Sequence, residues 1–129
     1  MTAPTPATVL INDTDIQSNT VGQAPGNGGG LHTSTGDISL TLTGVSFNLN
    51  AAASEGGGLW INTGTTLTMS GSAFDGNIAR GAGADEGGGG LFVNGGTAAI
   101  SETRFEGNAP LEGTAAGGGL LAVGGTTTV

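Results

Sequence analysis

The sequence predicts an all-β fold, a right-handed, single-stranded parallel β-helix of about four coils. Two short signatures recur in alternation along its 129 residues. One is an aromatic residue followed three positions later by asparagine, in FNLN, FDGN and FEGN, with IQSN as a degenerate earlier copy. The other is a run of at least three glycines that ends in leucine. A repeat of about 30 residues, with alternating segments between the signatures, is typical of a solenoid.

The spacing of the signatures predicts the coils. Steps of 31, 27 and 31 residues separate Ile16, Phe47, Phe74 and Phe105, and steps of 28, 32 and 29 separate Leu31, Leu59, Leu91 and Leu120. We expect one domain over 1–129, with coils of 27 to 32 residues at approximately 7–33, 34–62, 63–94 and 95–123, a partial coil at 124–129 and uncapped ends.

Segments such as ISLTLT and TTLTMS alternate apolar and polar residues, and this period of two indicates strands with one buried face. Stacked coils place equivalent residues about 4.8 Å apart, so each repeat position becomes a column. The predicted inward columns are Val9, Leu40, Leu67 and Ala98; Ile11, Leu42, Met69, Ile100 and Val129; Phe47, Phe74 and Phe105; and Leu31, Leu59, Leu91 and Leu120. We expect Asn50, Asn77 and Asn108 to form a structural ladder at a corner, because an amide both donates and accepts.

Composition disfavours several functions. The 28 glycines disfavour long helices. Ten carboxylates against two arginines, with a net charge of -8, disfavour binding to nucleic acid or to an anionic membrane surface. No apolar run approaches the roughly 18 residues that span a bilayer, and the absence of cysteine excludes disulfides and thiolate metal sites. The first residues, MTAPTPATVL, lack the segments of a secretory signal.

From about Ala7 to Val129, the alternation of FxxN with GGGL resembles the repeats of chlamydial polymorphic outer membrane proteins and related bacterial surface β-helices, in the pectate-lyase-like superfamily. The resemblance implies a secreted or cell-surface stalk or adhesin. It also requires an enzyme to be considered, because polysaccharide lyases and hydrolases share this fold.

Few residues could serve such an enzyme. The basic groups are Arg80 and Arg104, with His32 alone. Asp75 and Glu106 should stand one coil apart, close enough to resemble a retaining glycosidase pair at about 5 Å. Asp75 is also diagonal to Arg104, which favours a surface ion pair. We expect no catalytic residue and no cofactor.

Metal binding is also disfavoured. GAGADEGGGG, with Asp85 and Glu86, superficially resembles calcium turns of the GGxGxDxUx type. It occurs once and lacks the apolar residue two places after the aspartate, so we expect a solvated acidic loop and no metal.

Two outward surfaces are candidates for contact. The first is a column beside the leucine wall, formed by His32, Trp60, Phe92 and Leu121. This column is either an exposed contact strip or a strip covered by a loop. The second consists of two hydroxyl columns, which occur on ice-binding solenoids, although threonine is also a common exposed strand residue: Ser39, Thr66, Thr97 and Thr126, and Thr41, Thr68 and Thr128, interrupted by Ala99.

The expected function is a non-enzymatic structural or adhesive scaffold of an extracellular bacterial protein. The alternative is carbohydrate binding or processing, on the aromatic strip or near Asp75 and Glu106. An open coil presents unpaired backbone groups, so the ends are predicted to self-associate into a filament through Val9, Ile11, Thr127 and Val129. Expected partners are the chain itself or a surface glycan or protein.

Overall fold

The computed structural model describes residues 5–113 and 115–129, which form a parallel β-solenoid of about four turns. None of these residues lies in a helix. The strands are β1 (Ala7–Asn12), β2 (Asp15–Gln17), β3 (Leu31–His32), β4 (Ile38–Thr43), β5 (Ser46–Asn48), β6 (Ala51–Ala52), β7 (Leu59–Ile61), β8 (Thr65–Ser70), β9 (Ala73–Asp75), β10 (Ile78–Ala79), β11 (Leu91–Asn94), β12 (Thr97–Ser101), β13 (Arg104–Glu106), β14 (Ala109–Pro110), β15 (Leu120–Val123) and β16 (Thr126–Thr128).

The second, third and fourth coils each pass through four sheets in turn, whereas the first has strands in three. The pairings are parallel, between equivalent strands of successive coils. The long sheet has the order β1-β4-β8-β12-β16, and the aromatic sheet has the order β2-β5-β9-β13. The short sheet is β6-β10-β14, and the leucine sheet is β3-β7-β11-β15. The predicted all-β parallel solenoid is therefore confirmed.

The core is a set of columns between the long sheet and the leucine sheet. In the long sheet, Leu40 pairs with Leu67, and Leu42 pairs with Met69. All four side chains are buried, as are the leucines at 59 and 91 on the opposing wall. The columns lose this burial at their ends, and Val9 is 40% exposed. Val129 follows β16 and is 82% exposed, so it does not bury in the column predicted for it.

Three phenylalanines form a continuous stack under the aromatic sheet. The ring centroids of Phe47 and Phe74 are 4.5 Å apart with an interplanar angle of 6°, and those of Phe74 and Phe105 are 4.8 Å apart at 7°. Phe47 and Phe74 are fully buried, whereas Phe105 at the end of the stack is half-buried. The predicted Phe column thus contributes both apolar burial and ring stacking, the latter about 0.5–1.5 kcal/mol for each pair.

The asparagines form a hydrogen-bonded ladder at the next corner. The Asn77 Oδ1 atom accepts from the backbone N–H of Asn50 and from its Nδ2, both at 3.0 Å. The Asn77 Nδ2 atom donates to the Phe47 carbonyl and to Asn108 Oδ1, both at 2.8 Å. Asn19 donates to Asn50 in the same way, so the degenerate first copy also belongs to the ladder.

The glycine runs allow the leucine sheet to begin against the backbone of neighbouring coils. Gly56 has a φ of 63°, in the left-handed region that glycine adopts without strain. A β-carbon at Gly57 would overlap the backbone of Gly89 and Ile78, and one at Gly58 would lie 2.9 Å from a Phe74 ring carbon. The run at 56–58 thus combines one turn position with two positions that have no room for a side chain.

Replacing Phe74 by alanine should lower the free energy of unfolding by roughly 3–5 kcal/mol, because the change leaves a cavity in a closed stack. Chemical denaturation measures this loss. Phe105→Ala is the matched control, and its cost should be smaller because that ring is half-buried at the end of the stack. Equal denaturation midpoints for Phe74→Ala and the parent would contradict the role assigned to the stack.

Candidate functional site

The described residues enclose no pocket, so the candidate sites lie on the outer faces of the coils. Four places carry the side chains that the sequence singles out. They are the outer column of the leucine sheet, the acidic loops beside it, the carboxylates of the aromatic sheet and the hydroxyl columns of the long sheet.

The outer column of the leucine sheet is a ring stack, but most of it is covered. The centroids of His32 and Trp60 are 4.5 Å apart, and those of Trp60 and Phe92 are 6.3 Å apart. Trp60 is only 5% exposed and Phe92 only 2%, which excludes the exposed alternative for these two rings. Of the other two members, His32 is exposed and Leu121 is half-buried.

The loop between β6 and β7 approaches this stack. Its Glu55 accepts a hydrogen bond from Trp60 Nε1 at 2.8 Å. This contact provides the buried indole with an acceptor, as a buried N–H requires. The structure therefore has the alternative arrangement that the sequence left open, in which a loop folds over the strip.

Two loops of successive coils bring three carboxylates into electrostatic contact. Burial raises the pKa of Glu55 above the ordinary value for a glutamate. The hydrogen bond from Trp60 opposes this rise in pKa, while repulsion from Glu86 and Asp85 adds to it. Glu86 also accepts from the Gly83 N–H at 2.6 Å, which closes its own turn. No group of three metal-ligating side chains with suitable geometry occurs in residues 5–113 and 115–129.

The carboxylates of the aromatic sheet belong to an ion-pair cluster. Asp75 and Glu106 are direct neighbours in register, as the repeat predicts. Arg104 contacts Glu106 and also lies 3.7 Å from Asp75, measured from Nη2 to Oδ2. All three side chains are about half exposed or more, so the cluster contributes little stability. The arginine engages both acids of the pair that the sequence suggested as resembling a glycosidase site.

The outer side of the long sheet, here called the hydroxyl face, is an ordered array. One column contains only threonine and serine over all five strands: Thr8, Ser39, Thr66, Thr97 and Thr126. The second column is Leu10, Thr41, Thr68, Ala99 and Thr128, and the third is Asn12, Thr43, Ser70 and Ser101. These strands contain no charged residue. Thr41 and Ser70 are half-buried, and the other members of the face are exposed.

The two ends of the stack leave repeat positions without neighbours among the described residues. Asn19 Oδ1 receives no hydrogen bond there, although Oδ1 of every later ladder asparagine does. At the other end, the Thr127 hydroxyl is buried in the core column below Ala98 with no partner. Val9 is exposed and Ile11 half-buried.

Sequence reasoning missed the Glu55 contact and two further polar pairs. The hydroxyls of Thr33 and Thr65 are 2.8 Å apart, and Asn94 Nδ2 donates to Asn62 Oδ1 at 3.1 Å. Asn62 and Asn94 each stand three residues after a glycine-run leucine, so their common repeat position was an available signal. No local pattern indicates that Glu55 reaches Trp60.

No protein-family model matches this chain, and neither the curated proteins nor the solved structures include one that is significantly similar. The part of the chain that the structure describes also contains no helix of the length and apolarity needed to cross a membrane.

Glu55→Gln should stabilise the protein at neutral pH, since glutamine stays neutral and keeps an acceptor for Trp60. A carboxyl whose folded pKa is raised contributes stability that is present below its unfolded pKa, about 4.3, and is lost as pH rises through the folded pKa. The difference between variant and parent should therefore grow with pH across that window. Thermal melts from pH 3 to 7 measure it.

Glu55→Ala is the control for this comparison. It removes the charge and also the acceptor, so it should be less stable than Glu55→Gln at every pH. A parent that gains stability relative to Glu55→Gln as pH rises would contradict the raised pKa.

Proposed function

We propose that this chain is a non-enzymatic structural or adhesive scaffold of an extracellular bacterial protein, which acts through its outer faces. One observation carries the proposal: the polar side chains best suited to chemistry are already engaged with other protein groups, the asparagines between coils and the carboxylate pair with an arginine. The ladder asparagines bond to one another and to backbone carbonyls, and Arg104 bonds to the two neighbouring carboxylates.

The repeat signature supports the location outside the cell. FxxN alternating with GGGL resembles the surface β-helices of the polymorphic outer membrane protein type, within the pectate-lyase-like superfamily, and those repeats form stalks and adhesins. The threonines and serines of the uncharged outer side of the long sheet are compatible with such a surface role.

Carbohydrate binding has less support than scaffolding. Protein sites for small ligands are concave and largely apolar, with a few convergent polar groups. The described residues form no pocket, and the rings of Trp60 and Phe92 are buried and so present no platform to a sugar. The acids at 75 and 106 already share an arginine partner.

A panel of soluble glycans and polysaccharides tests the proposal. The parent should show neither saturable binding nor release of new reducing ends. The matched variant is Asp75→Asn with Glu106→Gln, which keeps the shape of both side chains and removes their charge. Binding or turnover by the parent that is lost in this variant would contradict the scaffold function and favour carbohydrate processing.

End-to-end self-association is a second candidate, favoured by the unpartnered groups at the ends. Contact of β16 in one copy with β1 in the next would place Thr127 over Val9 and extend the long sheet. The other three sheets end one coil before β16, so this contact leaves a gap beside it and does not continue the asparagine ladder. We therefore expect association through the long sheet alone.

Sedimentation across a concentration series measures this association. The parent should associate, and Thr127→Lys with Val129→Lys should abolish it because the lysines place charge on the pairing edge. Asn108→Leu is the control and should leave it unchanged. A monomeric parent at high concentration would refute the contact; loss in Asn108→Leu alone would assign the contact to the ladder.

A further inference from the structure

We propose that the hydroxyl face of the long sheet adsorbs to ice. The proposal deepens the scaffold function and rests on it, because it names the partner of one outer face. The partner class is a neutral, crystalline lattice of hydrogen-bonding oxygen atoms. Four features of the face carry the argument: its two-dimensional order, its rigidity, its free hydroxyls and its lack of charge.

The face repeats in two directions. Neighbouring strands of a sheet are about 4.8 Å apart, and alternate residues along a strand are about 6.6 Å apart, twice the rise per residue. Strand β8 pairs without interruption with Ile38 to Thr43 of β4 on one side and with Thr97 to Ser101 of β12 on the other. The columns therefore form a two-dimensional grid, whose repeats are of the same order as the lattice repeats of ice.

Successive coils rotate little relative to one another, which a match to a planar lattice requires. Adjacent strands in ordinary sheets differ by about 20–25°. The stacked rings inside this solenoid differ by only 6° and 7° in the phenylalanine column, and by 7° and 10° in the outer column of the leucine sheet. These small angles indicate that successive coils are nearly parallel at the phenylalanine and leucine-sheet columns, and the proposal extends this to the long sheet of the same coils.

The threonine side chains of the face are stiff. A β-branched side chain has restricted χ1 freedom, so little rotamer entropy remains to be lost when the face meets a solid. Each threonine also presents a methyl group next to its hydroxyl. The methyl orders nearby water, and the hydroxyl bonds to it, so a grid of such pairs can hold water in a lattice-like arrangement.

The hydroxyls of the face are available for water. None of them forms a side-chain hydrogen bond to another described residue, in contrast to the hydroxyls that lie just beyond the strands. Thr14, Ser72 and Thr103 each donate to the carbonyl of the residue two positions earlier, and Thr33 and Thr65 bond to each other in the interior. These five hydroxyls are thus used by the fold, while no hydroxyl of the face has a side-chain hydrogen-bond partner among the described residues.

The face is neutral in a protein with ten carboxylates. The nearest acids in sequence, Asp13, Asp37 and Glu102, lie immediately outside the strands. Charged groups hold their hydration water strongly and have no counterpart in the ice lattice. Crystalline polysaccharide is disfavoured as the partner, because sugar recognition uses exposed aromatic rings and the face has none.

Two positions interrupt the second column. Leu10 and Ala99 stand where the intervening strands carry threonine at 41 and 68. This defect makes a gain-of-function variant possible, since Ala99→Thr would complete the column over β4, β8, β12 and β16. Increased ice binding in that variant cannot result from misfolding.

The experiment measures thermal hysteresis, together with the incorporation of fluorescently labelled protein into a growing ice crystal. The parent should show hysteresis and enter the crystal, and Ala99→Thr should show more. Thr68→Tyr should abolish both readouts, because the ring projects from the centre of the grid. Gln17→Tyr is the matched control on the outer side of the aromatic sheet, where the residue is exposed, and should behave as the parent. Circular dichroism melts establish that all variants are folded.

A folded parent that produces no hysteresis and is excluded from ice overturns the proposal. So does a Thr68→Tyr variant that retains full activity, or a parent that binds crystalline cellulose and not ice. A dimer that Thr68→Tyr dissociates, with no hysteresis in the parent, overturns it in favour of a second copy on the face. Cellulose binding would also count against the scaffold function. The other failures leave that function intact, since its own test is glycan binding or turnover.

Discussion

The in-register hydrogen bonding of the asparagine ladder is the constraint on which the rest of the structure depends. An amide buried at a corner is satisfied only if the amides of the coils above and below stand at the same position. Asn50 and Asn77 are fully buried, and each uses both its oxygen and its nitrogen. A shift of one residue between coils would leave these groups unpaired in a low-dielectric interior, where each unpaired group costs about 1–3 kcal/mol. Register is therefore specified by polar groups and not by apolar contact alone.

Register in turn determines which side chains the coil can accept. Because the coils superimpose, a large ring in one coil must meet a ring of similar shape in the next, and the phenylalanines at 47, 74 and 105 do so. The glycine run on the far side of the coil exists for the complementary reason. Gly58 lies against the Phe74 ring, so the ring fills the space that a side chain at Gly58 would need. The large side chain at the phenylalanine position and the missing side chain at the glycine position therefore belong to one packing arrangement.

The outer surface has two kinds of region, the loops that leave the coil and the outward face of the long sheet. Loops of variable length leave the coil after the asparagine and carry acids such as Glu55, Asp85 and Glu86. One of these loops contacts Trp60, and the rings of Trp60 and Phe92 are buried while that of His32 stays exposed. Most outward residues of the long sheet are exposed, so among the described residues they form an uncovered, uncharged grid. The same stacking that forms the core thus also orders the face for which we propose a partner.

The sequence alone determined the elements that repeat. Period and spacing were sufficient for the parallel solenoid, for the columns of Phe and Leu and for the Asn ladder, because parallel stacking turns repeat position directly into contact. Alternation within β4 and β8 likewise identified which residues face outward. The contact between Asp75 and Arg104 followed from the same register.

Only the tertiary structure decided what lies over an outward residue. Alternation correctly put Trp60 and Phe92 on the outer side of the leucine sheet, yet both are buried. Their burial and the Glu55 contact depend on how the non-repeating loops fold back. Such contacts do not recur from coil to coil, so the repeat does not predict them. The exposure of Val9 has a related cause, because an inward residue is buried only if a coil lies on each side of it. Inside the stack the repeat determines which residues are neighbours, so the local sequence is sufficient to predict their contacts. At the loops and ends of the stack the neighbours do not follow from the repeat, and only the structure shows them.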